Sequence, residues 1–168
     1  KGSGYANRET KKTMQPDAIF RIMSQTKAIT SFAVMQLLEK GKFRLDQSIA
    51  DFIPSFKNPT VIKSFNRADS SYTSGPAKRE ITFRDLLTHS SGISYPDIGN
   101  DTMQAIYAKH RIPSGLGYFN ENLLAKMSDL GKLPLLHQPG ERFTYGLNTD
   151  LLGCLVEVIS GESLESFC

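Results

Sequence analysis

The chain has 168 residues, 39% hydrophobic and 22% charged, enough to bury one core and to set a single domain as the starting expectation. Its formal net charge of +3 comes from Lys and Arg interleaved with Asp and Glu, without the block of like charge that a nucleic-acid footprint requires. Apolar runs such as 32–38 and 151–159 are far too short to cross a bilayer. The polar opening KGSGYANRETKK carries no signal-peptide pattern, so localisation stays unassigned.

In chain order, GSGYANRET reads as a strand end and turn, punctuated by Gly2, Gly4 and Asn7, with little before it to pair with. Ser24 has helix-cap or first-turn character. Ala28, Ile29, Phe32, Ala33, Met35, Leu37 and Leu38 cover so much of the following helix that burial on most sides is expected, and Gly41 ends it. A second short helix is predicted after Asp46, with Ile49, Phe52 and Ile53 on one face and Pro54 as its stop. Residues 58–79 are rich in Ser, Thr, Asn, Lys, Pro and Gly, with only Val61, Ile62, Phe65 and Tyr72 to bury, and read as a long surface excursion.

Thr82 and Asp85 have capping-box spacing ahead of Leu86 and Leu87, and Ser90, Ser91 and Gly92 then turn the chain. Amphipathic helices are predicted over Asp101–His110 and Asn120–Leu130. Pro139 and Gly140 make a turn, Phe143 and Tyr145 alternate on a short extended piece, and a last helix runs from Thr149 to Ser160 with Gly161 closing it. Cys154 and Cys168 would stand about 20 Å apart on one continuous helix, too far for a disulfide. His89, His110 and His137 are scattered singly, no Cys or His pair has metal-ligand spacing, and no cofactor is implied.

Ser24 and Lys27 raise a chemical question. A serine hydroxyl becomes a nucleophile only with a proton acceptor in reach and donors for the oxyanion formed on attack. A helix N-terminus offers unpaired N–H groups and a positive dipole end. Residues three apart share a helix face, so Lys27 can sit beside Ser24, where burial is expected to lower its pKa. Taken alone the pair reads sooner as an ordinary cap followed by a solvated lysine, although Lys27 opens a nearly all-apolar helix, an awkward place for an unpaired charge.

Three blocks, IFRIMSQTKAITSFAVMQLLEKGKFRLDQSIADFIPSF, ITFRDLLTHSSGI and QPGERFTYGLNTDLLGCLVEVISGESLESF, resemble consecutive segments of the serine β-lactamase-like family. That family contains class C β-lactamases, penicillin-binding D,D-peptidases and related esterases. The resemblance spans about residues 2–168 and implies an α-rich fragment of the α+β serine β-lactamase/transpeptidase-like fold, a helical domain with short marginal strands forming a single partial domain over 1–168. It implies Ser24 as the acylated serine, Lys27 as its motif lysine and Tyr145 as the general base. Chemically, a phenol of pKa near 10 can take the serine proton if a cation such as Lys27 stabilises the phenolate.

The resemblance also places Tyr95 at the substrate cleft and makes His89 a structural residue bonded to backbone carbonyls. Two departures matter. The family asparagine that holds a substrate amide two positions after the tyrosine is Leu147 here, and Asn148, one place on, is expected as the cap of the last helix or a weak substrate contact. No Lys-Thr-Gly, His-x-Gly or Trp-x-Gly, the family's third motif, follows Tyr145. The chain is therefore expected to act on a small-molecule ester in preference to a β-lactam-like substrate or a D-alanyl peptide, with a catalytically silent fragment or binding domain as the alternative, and to be a piece that needs a complementary segment or self-associates.

Overall fold

The computed structural model describes residues 1–114 and 122–168. Strand β1 (Tyr5–Asn7) pairs antiparallel with β2 (Lys12–Thr13), Tyr5 opposite Thr13, so the opening segment is the strand and turn that its Gly and Asn residues predict. Helix α1 covers Gln25–Glu39. It stops as its glycine directs: Gly41 takes φ 69°, its N–H reaches Leu38 O at 2.9 Å, and the Lys42 N–H reaches Leu37 O at 3.0 Å, the paired bonds of a Schellman motif.

The expectation that α1 is buried on most sides is corrected. Thr30, Ala33, Val34 and Leu37 are buried, but Ile29, Phe32 and Met35 on the other side are 47%, 66% and 44% exposed. The described helices that pack on α1 cover one side of it, and its apolar surplus faces outward.

The predicted helix after Asp46 is instead two single 3₁₀ turns, Ile49–Asp51 and Pro54–Phe56. Ser48, not Asp46, caps the first by accepting the Ala50 N–H at 3.2 Å. Pro54 stands in the opening turn of the second, where its missing N–H is not needed. Asp46 is drawn away to Arg84, whose Nε donates to its Oδ1 at 2.7 Å.

The long excursion over 58–79 is also corrected, because most of it forms a hairpin of β3 (Thr60–Asn66) and β4 (Ser71–Pro76). Thr60 faces Pro76 and Asn66 faces Ser71, with an irregularity between Ile62 and Ser64. The hairpin is docked by its backbone: the Ile62 N–H reaches Leu135 O at 2.9 Å and the Leu135 N–H reaches Thr60 O at 2.7 Å.

Helix α2 (Phe83–Leu87) starts with the predicted capping box, Thr82 Oγ1 accepting from the Asp85 N–H at 3.3 Å and Asp85 Oδ2 from the Thr82 N–H at 2.9 Å. Asn100 caps α3 (Asp101–Lys109) and Asn122 caps α4 (Leu123–Leu130). The predicted start of the latter at Asn120 lies outside the described residues. Helix α5 (Asn148–Ser160) runs through the core and contacts α1, α2, α4 and the short α6 (Leu164–Phe167). Gly161, at φ 76°, terminates it. Leu151, Leu152, Cys154, Leu155 and Val156 are essentially inaccessible, and burial of each leucine contributes about 1.5–3 kcal/mol. Cys154 and Cys168 are both free.

Phe143 and Tyr145 lie on irregular backbone, not a strand, and both are exposed. What this architecture delivers to the site is the start of α1, the turn after α2 and the segment before α5, all within one neighbourhood.

Candidate active site

Ser24 stands directly before α1 with helical φ and ψ and makes no side-chain cap bond, so the role of an ordinary N-cap is not the one it fills. The preceding Met23 is left-handed at φ 50°, a conformation uncommon for a non-glycine residue. One turn on, Lys27 Nζ points to Ser24 Oγ at 3.5 Å and sits 5.3 Å from the centre of the Tyr145 ring. Lys27 and Ser24 both act electrostatically on the Tyr145 phenol. The three residues that the family resemblance implies, 121 positions apart at the extreme, thus meet in one neighbourhood.

Tyr145 is carried by a segment with little freedom. The Thr144 N–H donates to His89 O at 2.7 Å, Thr144 Oγ1 meets His137 Nε2 at 2.8 Å, and the Leu147 N–H donates to Ser94 O at 3.2 Å. Gly146 passes so close to the neighbouring loop that a Cβ there would lie 2.1 Å from Ile93 O. On its faces, the Tyr145 ring meets His89, nearly parallel at 5.5 Å, and Tyr95 at 5.6 Å.

The electrostatics follow from these contacts. The hydrogen bond from Lys27 is the largest influence on the Tyr145 phenol; with Ser24 and the lysine charge it outweighs burial and Asp150, holding the pKa below the ordinary 10.0. For Lys27 the expected direction is corrected. Burial pulls its pKa down, but the bond to Tyr145 and the charges of Tyr145, Asp150 and Tyr95 more than offset this, and it is raised above 10.5. Lys27 is half-buried at the cavity edge, beside the phenol. His89 is held below 6.5 by burial and by the Lys27 charge.

Ser24, Lys27, Tyr95 and Tyr145 line a cavity of about 680 Å³, with Phe20, Ile22, Met23, Ile98 and Leu123 as apolar wall. Asp150 lines it too and was missed in the sequence, although a carboxylate opening the apolar run LLGCLV is the same kind of signal that marked Lys27; burial raises its pKa above 3.8. Asn148 is corrected twice. It is the first residue of α5, behind Leu147, so it is not the cap. Its side chain is 0% exposed and bonded to Ser91 and His89, so it does not reach the cavity. The expected backbone-carbonyl bond of the His89 ring is likewise replaced by the one to Asn148. Leu147 is buried in the core and offers no amide to the cavity. Among the described residues no cluster of His, Cys, Asp and Glu could hold a metal ion, and no helix is long and apolar enough to cross a membrane.

The family model described as Beta-lactamase matches residues 1–168. The chain belongs to the beta-lactamase family. Protein Rv1367c of Mycobacterium tuberculosis is 35% identical over 161 residues, covering 96% of this chain and 38% of that protein. Esterase EstB of Burkholderia gladioli is 30% identical over 164 residues, covering 98% of this chain and 38% of the esterase. Among solved structures, EstCE1, a hydrolase with promiscuous acyltransferase activity, superposes with a TM-score of 0.80 at 30% identity, over 98% of this chain and 39% of EstCE1. This beta-lactamase-family chain thus has the fold expected, in its α-rich part, and spans under two-fifths of the length of these three relatives.

Proposed function

We propose that this beta-lactamase-family chain carries the nucleophile, cation and base of a serine esterase that works through an acyl-enzyme. The observation that supports this best is the convergence of Ser24 Oγ, Lys27 Nζ and the Tyr145 ring at one cavity. Tyr145, its phenolate form favoured by Lys27, takes the proton of Ser24 Oγ as that oxygen attacks the ester carbonyl carbon. The tetrahedral oxyanion forms near the N-terminus of α1, whose dipole end favours negative charge. Tyr145 then returns the proton to the departing alcohol oxygen, the C–O bond breaks, and the acyl group stays on Ser24. Water repeats the sequence, giving its proton to Tyr145 and releasing the acid.

Esters are preferred to β-lactams in this reading because position 147, where an amide-holding side chain would stand, is a buried leucine. An ester needs less help to expel its leaving group than an amide does. A short-chain p-nitrophenyl ester should be hydrolysed much faster than the cephalosporin nitrocefin; rapid nitrocefin turnover would favour a β-lactamase or D,D-peptidase instead. The assignment of the nucleophile is tested by a fluorophosphonate probe and peptide mass spectrometry. The adduct is expected on Ser24 and lost in Ser24→Ala, and an adduct on Ser90 or Ser91 would overturn it.

A complementary segment is part of the proposal. Ile29, Phe32 and Met35 of α1, with Phe20, Ile22 and Met23 before it, leave an exposed apolar face of the kind that drives association. Residues 1–168 then act as one partial domain. Alone, they should be oligomeric or poorly soluble and lack esterase turnover, and a segment that covers this face should restore both. A monodisperse, active 168-residue monomer would show that the two site-bearing blocks suffice.

A further inference from the structure

His89 ends helix α2 in a position that glycine usually fills. Its N–H bonds Leu86 O at 3.2 Å, the Ser90 N–H bonds Asp85 O at 2.8 Å, and its φ is 53°. These are the bonds of a Schellman stop with a histidine in the left-handed place, a backbone that persists for a non-glycine residue only when its surroundings hold it. What holds it is the ring. One side lies almost parallel to Tyr145, interplanar angle 9°, and the Phe143 ring stands 5.7 Å away. Its Nδ1 is 3.0 Å from Asn148 Nδ2.

The hydrogen-bond chain behind the ring decides its protonation. Ser91 Oγ accepts the Ile93 N–H at 3.1 Å and donates its own proton to Asn148 Oδ1 at 2.5 Å. With its oxygen so engaged, the fully buried Asn148 can only donate from Nδ2, so His89 Nδ1 accepts and the proton of the neutral ring sits on Nε2. Nothing in the acyl-enzyme chemistry uses Ser91, Asn148 or His89, yet two of the three are buried polar residues and the third touches the base.

We propose that His89 is a positioning residue for Tyr145: its imidazole, locked by the Asn148–Ser91 chain, is the flat platform that keeps the phenol turned toward Lys27 and Ser24. This rests on Tyr145 being the base. The groups that face Tyr145 are Lys27 and Ser24 from the start of α1, Asp150 from α5, and Tyr95 and His89 from the segment after α2, with Arg21 lining the same cavity. Without the platform the phenol is free to swing away from Lys27 and loses the contact that lowers its pKa. A protonated His89 would place a second cation near Lys27, which the Asn148 donor at Nδ1 opposes.

The test uses the full chain with the exposed face of α1 covered by the complementary segment, with ¹⁵N NMR of His89, ¹³Cζ NMR of Tyr145 and the rate of Ser24 labelling by a fluorophosphonate. In the wild type, His89 should be the Nε2–H tautomer and titrate below 6.5, and Tyr145 should titrate below 10.0. His89→Ala should return Tyr145 toward 10.0 and slow labelling about 10- to 100-fold, the scale of a misplacement near 1 Å. His89→Phe restores a flat ring without the Asn148 bond. It should rescue the Tyr145 midpoint and the labelling while still losing the thermal stability that the Asn148 bond supplies.

An Nδ1–H tautomer, an unmoved Tyr145 midpoint in His89→Ala, or a His89→Phe protein as impaired as His89→Ala would each overturn the proposal. If His89→Ala does not fold, the wild-type tautomer and His89→Phe still decide it. Tyr145→Phe separates the two readings: labelling at the wild-type rate in that variant removes Tyr145 as base, whatever His89 does to its midpoint.

Discussion

Thr82 and Ser24 both stand at the start of a helix, and a sequence gives them the same meaning. Thr82 takes extended backbone angles, and its hydroxyl accepts the Asp85 N–H in a reciprocal box. Ser24 takes helical angles, makes no cap bond, and leaves its hydroxyl to Lys27, beside the Tyr145 ring. The difference lies in what surrounds each residue. Around Thr82 the partners are local, with Asp85 three residues on and Arg79 closing on the same carboxylate, its Nη2 2.8 Å from Oδ1. Around Ser24 the decisive partner arrives from a segment 121 residues away. A hydroxyl at a helix start is therefore structural when its own first turn satisfies it and available for chemistry when it does not.

The sharpest way to break this comparison is Ser24→Ala. If Ser24 is reserved for chemistry, acylation should fall by about a million-fold, the scale of nucleophile removal, measured with a p-nitrophenyl ester in a protein in which the wild type turns over. Next in size is the electrostatic coupling. Lys27→Ala should move the Tyr145 midpoint back up to about its ordinary 10.0, and with it the alkaline rise of Ser24 labelling, because the ammonium is the main group that lowers it. A Tyr145 midpoint unchanged in this variant would sink the idea that the lysine acts as the cation for the base.

Asp85→Ala belongs to the structural side. It removes a buried carboxylate that serves both the box and Arg79, and should lower unfolding free energy by about 2–3 kcal/mol in a denaturant melt. The pH dependence has a definite sign. Burial would raise the Asp85 pKa, but Arg79 and the Thr82 donors outweigh it and hold it below 3.8. Its contribution is present above 3.8 and is lost as pH falls from there through the folded value, so the wild type should lose more stability in acid than Asp85→Asn. The smaller changes close the comparison: Thr82→Ala should cost about 1 kcal/mol, and Ser24→Ala less than about 0.5 kcal/mol because no cap bond is lost. A stability loss at Ser24 equal to that at Thr82 would mean that the two residues do the same job.

Local rules were legible without a structure. The Thr82–Asp85 box, the stops at Gly41 and Gly161, the turn at Gly92 and the i, i+3 placement of Ser24 and Lys27 depend on neighbours within four residues, and the structure has all of them. The resemblance carried by the blocks around Ser24, His89 and Tyr145 pointed to the fold, which the family match bears out. The segment over 58–79 was misread because its polar composition conceals a hairpin whose register is set by cross-strand backbone bonds and by Leu135. The 46–56 region was misread because Arg84, 38 residues on, takes Asp46 as an ion partner and Ser48 supplies the cap instead.

The site divides the same way. Sequence by itself determined that a lysine would open an apolar helix one turn after a serine, since helical periodicity puts positions three apart on one face. Only the tertiary structure decided the pKa directions of Lys27 and Tyr145, the presence of Asp150 in the cavity, and the use of Asn148 behind His89 instead of at the cap or the substrate. Those outcomes depend on which side chains meet across long stretches of chain. Charge coupling, burial and hydrogen-bond completion act through space, and neither spacing nor composition records them.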